Sequence, residues 1–489
     1  MGVIKRQSIL NTIVIYTGII IGFINLLYIQ PNFLRAEEIG LTRVLLSFSS
    51  IISVLMPLGA SSIIVRFFPQ YRDDEKGHNG FIGLTLLYGF ISFLFLSTLL
   101  YLSKDFITAQ YVRQSRLFVN YFWLVFPFSF FLTFIQLLNV YAFSLFKSVI
   151  PAIFSEVVIR ALNIVIILLY YYGILTFEQF VISFVVLYGI NLALLATYVI
   201  YVSKPKLRFK FTHFEKEHRT AMLQYGIVMA VAAVASLGLK SIDVVIFAKY
   251  ASLKMAGIYS IALFIGLFIE TPLNSLERIA NTKMAAALAN NNTKEVYDIY
   301  HKSSANLFLI GGLLFLGVNA CVTPLFTFLP EEYRGNEMVV LIISLGSLFN
   351  MASGSNTSII YSSEHSLKGT VLLAAVFMFL VGMLFLLIPP YGTVGAAAAV
   401  ALGSFAYNLG KMIFIKIYYN MLPFNADSLK LTVLIVTLLA AAIYLPHLDN
   451  AVLDLLYRGS FVSIAYLGAT YVFKLIPEDL LGAVKFLKK

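Results

Sequence analysis

Apolar runs of about 20 residues recur along this chain, each long enough to cross a hydrocarbon core about 30 Å thick as a helix. Backbone in lipid must satisfy its own hydrogen bonds, so only helices and closed barrels can span. A barrel would alternate apolar and polar residues, which these runs do not. The pattern predicts an all-α polytopic membrane protein with about fourteen helices, at 7–29, 40–66, 79–102, 118–146, 149–172, 177–202, 220–248, 254–280, 303–328, 337–361, 368–389, 393–416, 429–446 and 452–473. Only 12% of residues are charged, against roughly 25% in a soluble domain. The longest connections, 103–117 and 203–219, leave no room for a soluble catalytic or nucleotide-binding domain.

The first run follows "MGVIKRQ" with no small-x-small cleavage site before "QPNFLRAEE", so a retained helix is expected rather than a signal peptide. The single cysteine, Cys321, excludes an intrachain disulfide. Placing the N-terminus inside puts most of the 35 Lys and Arg residues on the cytoplasmic side, among them Lys5, Arg6, Arg66, Arg72, Lys76, Lys147, Arg278, Lys283, Lys368, Lys411 and the basic stretch "KPKLRFKFTHFEKEHR". Both termini are therefore expected in the cytoplasm. The net charge of +11 follows from this asymmetry and suits anionic lipid headgroups; nothing in the chain supports nucleic-acid binding.

The basic connection 203–219 falls after the sixth helix, where a duplicated transporter is joined. An offset of 217 lays Gln7 on Gln224, Gly40 on Gly257 and Arg66 on Lys283; an offset of 219 lays Tyr188 on Tyr407. Six spans per half make the repeats parallel, with a site expected between them near the midplane. The expected organisation is an N-lobe at 1–202, the linker at 203–219, a C-lobe at 220–420, and two further helices with a cytoplasmic tail at 421–489.

Charges at membrane depth cost at least about 2.5 to 3.5 kcal/mol each and mark function. Lys240 and Asp243, three apart, either neutralise one another or snorkel towards the outer surface, or face a cavity where Lys240 meets an anionic group and Asp243 holds it in place or titrates with a coupling ion. Glu156 and Arg160 have i,i+4 spacing, and Arg160 lies too deep to snorkel; its planar donors suit phosphate oxygens. Arg66 and Lys283, repeat-equivalent, are either interfacial anchors or a basic mouth at the cytoplasmic ends of helices two and eight. Glu270 precedes Pro272, which should kink its helix, and is a candidate for charge pairing or for a proton or sodium site. Lys411 divides between cavity and snorkelling. Asn25, Asn163, Asn191, Asn350 and Asn408 offer interhelical hydrogen bonds or contacts to sugar hydroxyls.

"FLRAEEIGLTRVLLSFSSIISVLMPLGASSIIVRFFPQY" (33–71), "IDVVIFAKYASLKMAGIYSIA" (242–262) and "YGTVGAAAAVALGS" (391–404) resemble the polysaccharide transporter branch of the multidrug/oligosaccharidyl-lipid/polysaccharide (MOP) exporter superfamily, which includes O-antigen flippases. The similarity covers about the first 420 residues. It implies a MATE-like pair of six-helix lobes that alternate between inward and outward openings. The implied cargo is undecaprenyl-pyrophosphate-linked oligosaccharide, carried across the bacterial cytoplasmic membrane with a basic cavity for the phosphates. Membrane lipids, a polysaccharide polymerase and glycosyltransferases are the partners it suggests. No cofactor is expected beyond Na+ or H+ as a coupling ion.

There is no G-x-x-x-x-G-K-[ST], so direct ATP use is unsupported. "HFEKEH" has the wrong spacing for a helical zinc pair, and "RDDEKG" sits in a short turn after the second helix. A multidrug or ion antiporter of the same superfamily is the alternative, though it favours acidic cavity groups. An integral-membrane glycosyltransferase or ligase would need a larger external loop, and a non-transporting scaffold for biosynthetic enzymes would tolerate loss of the buried charges.

Overall fold

The structure, a computed structural model, describes residues 2–73, 78–203 and 216–477, without the side chains of 2–9, 79, 216–219, 274, 275, 278, 279 and 282. Lys76, most of the basic linker, the final lysines, the first half of "HFEKEH" and the core of "RDDEKG" thus lie outside the described residues, as do the side chains of Lys5, Arg6, Arg278 and the rest of "HFEKEH". All regular structure among the described residues is helical.

Contacts divide the chain into two compact units after Gly257. The first holds α1 (Gly2–Ile24), α2 (Ala36–Leu55), α3 (Ala60–Tyr71), α4 (Phe81–Leu102), α5 (Val125–Ser144), α6 (Ile159–Tyr171), α7 (Phe177–Ser203) and α8 (Lys216–Tyr250). The chain passes into the second unit within α9 (Leu253–Leu267) and continues through α10 (Thr271–Ala289), α11 (Thr293–Thr327), α12 (Glu337–Ala352), α13 (Asn356–Ser362), α14 (Ser366–Tyr419), α15 (Ala426–Ile443) and α16 (Ala451–Val472).

All fourteen predicted segments fall on helix, but several are broken. Eleven helices among the described residues are long and apolar enough to cross a membrane, or twelve if α12 and α13, bent by 56° to one another, form one span. The number is below fourteen for two physical reasons. The 54-residue α14 holds two predicted spans, folded across a kink where Gly392 adopts φ 55° and ψ −127°. The last helix, α16, carries a buried Asp454–Arg458 pair that lowers its hydropathy.

The second predicted span breaks between α2 and α3, where Leu58 and Gly59 take positive φ (42° and 79°). Gly59 is required there, because a Cβ would stand 2.0 Å from the Gly226 carbonyl oxygen of α8. The predicted kink at Pro272 is present: a 3-10 turn, Phe268–Glu270, separates α9 from α10.

In the first unit α8 packs on α2, and α5 packs on α2, α3 and α7. In the second, α11 is central: α10, α12, α15 and α16 all lie against it. Tyr466 of α16 fixes that contact, its hydroxyl donating to the Leu309 carbonyl at 2.8 Å beside Gly312. Large apolar side chains such as Val371, Met378, Leu386 and Ile417 remain exposed along α14. A water-soluble fold would bury such a run, whereas a helix facing lipid has no reason to.

Candidate functional site

The first unit contains a polar cluster at membrane depth that begins with two departures from α-helical geometry. Residues Asn25–Ile29, after α1, and Ile153–Val158, before α6, are π-helical. A π-turn inserts one extra residue into the ladder and re-aims the side chains around it, which is why such turns are frequent at functional sites. The first turn presents Asn25, and the second presents Glu156.

From these turns a chain of contacts crosses four helical segments. Arg160 of α6 pairs with Glu156 at 2.7 Å and donates to the Gly18 carbonyl of α1. The groove that admits it is made by glycine, since a Cβ at Gly22 would stand 2.5 Å from the Arg160 Nη1. One turn further on, Asn163 accepts through its Oδ1 from Asn25 Nδ2 at 2.9 Å and from Gln30 Nε2 at 3.4 Å. Gln30 in turn accepts from Arg43 Nη2 of α2 at 3.2 Å. All three amides are buried. Arg43 and Arg160 thus join the same chain of contacts from opposite ends, through Gln30, Asn163 and Asn25 on one side and Gly18 and Glu156 on the other. Two arginines against one glutamate leave an excess of positive charge ringed by amides, an arrangement suited to an anion.

The second unit has its own buried cluster. Lys411 of α14 is 3% exposed, donates to Thr357 Oγ1 of α13 at 3.1 Å and sits 4.1 Å from the centroid of the Tyr407 ring. Asn356 Nδ2 donates to Asn408 Oδ1 at 3.3 Å, and the hydroxyls of Tyr361 and Tyr407 lie 3.4 Å apart. The bend between α12 and α13 turns Asn356, Thr357 and Tyr361 toward α14. Lys411 is thus buried between α13 and α14.

Other predicted residues lie apart from these clusters. Lys240 is exposed while Asp243 is 3% exposed, and no ion pair joins them. Three residues along a helix leave side chains about 60° apart, and here that turns Asp243 inward and Lys240 outward. Beside Asp243, Tyr111 and Ser115 donate to the carbonyls of Val245 and Ala248 at 3.3 and 2.6 Å. Arg66 is exposed and stacks its guanidinium 4.4 Å from the Tyr225 ring centroid, as an anchored side chain does. Lys283 is exposed on α10. Glu270 is half-buried at the 3-10 turn, within electrostatic reach of Lys411. Asn191 is fully buried on α7, and neither of its amide atoms has a hydrogen-bond partner. Asn350 is half-buried on α12.

Arg43, Gln30, Tyr188 and Glu277 escaped the sequence reading as site residues. Arg43 and Gln30 lie close to predicted span ends, where polar residues are ordinary. The repeat did flag Tyr188 and Tyr407 as equivalents, and Tyr407 proves to lie against the buried Lys411.

No protein-family model and no curated protein sequence matches the chain. Solved structures do. A lipid II flippase, MurJ, in an inward closed conformation aligns over 96% of this chain and 100% of its own, with a TM-score of 0.74 and 16% identity. An inward-facing multidrug-resistance MATE transporter of the MOP superfamily aligns over 84% of this chain and 98% of its own, with a TM-score of 0.63 and 14% identity. A Vibrio cholerae MATE transporter aligns over 86% and 98%, with a TM-score of 0.58 and 13% identity. Identities this low make the likeness one of fold: the chain shares the helical architecture of these solved transporters.

Proposed function

With that architecture as the premise, we propose that the chain is a flippase that moves undecaprenyl-(pyro)phosphate-linked oligosaccharide across the bacterial cytoplasmic membrane for polysaccharide or O-antigen synthesis. The observation that carries the reading is the pair of arginines, Arg43 and Arg160, held in one polar cluster of the first unit by Gln30, Glu156 and the Gly18 carbonyl. Dragging a phosphate through hydrocarbon is prohibitive, and a preorganised guanidinium replaces its hydration with charge-assisted hydrogen bonds. Asn25, Asn163 and Gln30 then supply neutral donors and acceptors near the same charges, for sugar hydroxyls next to the phosphate. The lipid tail stays in the bilayer. A MurJ lipid II flippase of the same fold handles a lipid-linked cargo, which supports a cargo of that chemistry here.

The excess of basic over acidic groups in this cluster speaks against an antiporter for cationic drugs. On this reading both termini lie in the cytoplasm, where glycosyltransferases would assemble the cargo, and a polymerase would receive it on the other face. The test is translocation by purified protein in vesicles loaded with labelled undecaprenyl-pyrophosphate sugar. Each charge-assisted hydrogen bond is worth about 1.5–3 kcal/mol, so Arg43→Ala or Arg160→Ala should slow transfer about 10- to 100-fold. Unchanged transfer in the double variant would overturn the reading.

A further inference from the structure

The segment between α4 and α5 takes no part in the polar clusters, yet it is firmly held. Residues 103–121 join two candidate spans, Phe81–Leu102 and Phe122–Ser144, so they lie at one edge of the membrane. Two short helices, Lys104–Ala109 and Arg116–Asn120, fold within them. Thr108, Tyr111, Ser115, Phe118 and Phe122 are buried at helical spacing. Tyr111 and Ser115 also donate to the Val245 and Ala248 carbonyls at 3.3 and 2.6 Å, which pins the segment to the C-terminal end of α8. The other end of that 35-residue helix, about 50 Å away along its axis, follows the basic 203–219 linker.

The opposite face of the segment has a different chemistry. Phe106, Val112 and Trp123 are exposed, Phe106 to 75%. Arg113 and Arg116 are exposed beside them and Lys104 is half-buried, with Asp105 the single acid of the stretch. None of these three cations has an ion-pair, hydrogen-bond or ring partner among the described residues. Elsewhere in the unit Arg35 and Arg160 each hold a glutamate, and Arg66 stacks on a tyrosine. Lys and Arg are sparse at the membrane edge opposite a basic linker, so unpaired cations at this edge call for a counter-charge from outside the chain. Exposed aromatic side chains between two spans sit at headgroup depth, and a headgroup phosphate is the anion present at that depth. A soluble acidic partner would instead have to displace lipid from Phe106 and Trp123.

We propose that this face of residues 103–123 is a binding surface for anionic phospholipid headgroups. Lys104, Arg113 and Arg116 hold the phosphate while Phe106, Val112 and Trp123 enter the boundary with the acyl chains, the division of labour of an interfacial amphipathic segment. Through the Tyr111 and Ser115 hydrogen bonds, a lipid held there anchors the end of α8 to one leaflet. The inference does not depend on the flippase reading.

Trp123 is the only tryptophan of the chain, so intrinsic fluorescence reads this surface alone. Full-length protein is reconstituted in phosphatidylcholine vesicles without lipid-linked sugar, carrying an equal small fraction of acyl-brominated phosphatidylglycerol or acyl-brominated phosphatidylcholine. A basic residue near an anionic surface is worth up to about fivefold in partition, so the two quenching curves should show phosphatidylglycerol enriched at Trp123 at least about fivefold in low salt. The enrichment should shrink in 1 M salt, where the Debye length falls to about 3 Å. K104Q/R113Q/R116Q should be quenched by both lipids alike. Equal quenching of wild type by the two lipids, or an enrichment that survives in the triple variant, would overturn the proposal. Quenching by neither lipid would overturn it too, and would leave an acidic protein as the counter-charge. If the triple variant is not recovered folded, R113Q decides: its enrichment must fall below that of wild type. The assay reads lipid contact and not transfer, so its failure leaves the flippase reading standing.

Discussion

The tightest helix crossing in the first unit lends itself to a quantitative perturbation. A Cβ added at Gly40 of α2 would stand 1.8 Å from the Leu253 carbonyl oxygen, and one at Gly257 of α9 would stand 2.0 Å from the Ala36 carbonyl oxygen. The repeat offset of 217 carries Ala36 to Leu253 and Gly40 to Gly257. The contact is therefore reciprocal, with a local two-fold axis through it. Ordinary van der Waals contact begins at 3.4 Å, so Gly40→Ala or Gly257→Ala must spread the crossing by about 1.5 Å. Overpacking of that kind costs about 1–3 kcal/mol, offset by up to about 1 kcal/mol from alanine's better helix propensity. Each single variant should thus lose about 1–2 kcal/mol. The symmetry makes a stronger statement about the pair. Once either methyl group has opened the crossing, the second enters space already made, so the double variant should cost about as much as one single, with a coupling energy of about 1–2 kcal/mol. SDS-induced unfolding of the purified protein in mixed micelles, run as a double-mutant cycle, measures this. Additive losses, or a costly Gly40→Ala beside a neutral Gly257→Ala, would refute the shared contact.

Three further outcomes follow from contacts in the structure. Asn163→Leu leaves the Asn25 and Gln30 amides without their shared acceptor, which should cost about 1–3 kcal/mol in unfolding assays and slow sugar transfer although no charge is removed. Gly22→Val drives a side chain into the Arg160 guanidinium and should depress vesicle transfer about as far as Arg160→Ala does. Arg458→Ala leaves Asp454, itself 3% exposed, with only its longer contacts to His447 and the Leu448 N–H, and takes a donor from the carbonyls of Ala442, Leu445 and Pro446. Thermal unfolding should register a loss of about 3–5 kcal/mol, and replacing both partners with apolar residues should cost less than replacing the arginine alone.

Much of the architecture is legible in the sequence because lipid imposes a single rule on length and hydropathy. The predicted segments landed on helix, and the kink at Pro272 is where the ring and its missing N–H demand it. The break at Leu58–Gly59 follows Pro57, a local signal that the hydropathy pattern of the span hides, and its tightness depends on how closely α8 approaches. The pairing of Glu156 with Arg160 was readable from i,i+4 spacing within one helix. Lys240 and Asp243 show the limit of the same logic: at three residues the faces diverge enough for packing to bury one and expose the other. Arg43 was missed because its importance comes from Gln30 and from the proximity of Arg160, residues 13 and 117 positions away. Conversely, the alignment of Gly40 with Gly257, unremarkable as a sequence match, selected two residues that touch. A repeat preserves whatever its local axis requires.

The most direct test of the account uses host cells deleted for this gene and complemented with wild type or with Arg43→Ala plus Arg160→Ala, with lipid-linked glycan measured on each leaflet. The account predicts that glycan accumulates on the cytoplasmic leaflet of the deletion strain, that wild type clears it, and that the double variant, present in the membrane at normal abundance, does not. Normal surface glycan in the deletion strain, or full clearance by the double variant, would contradict it.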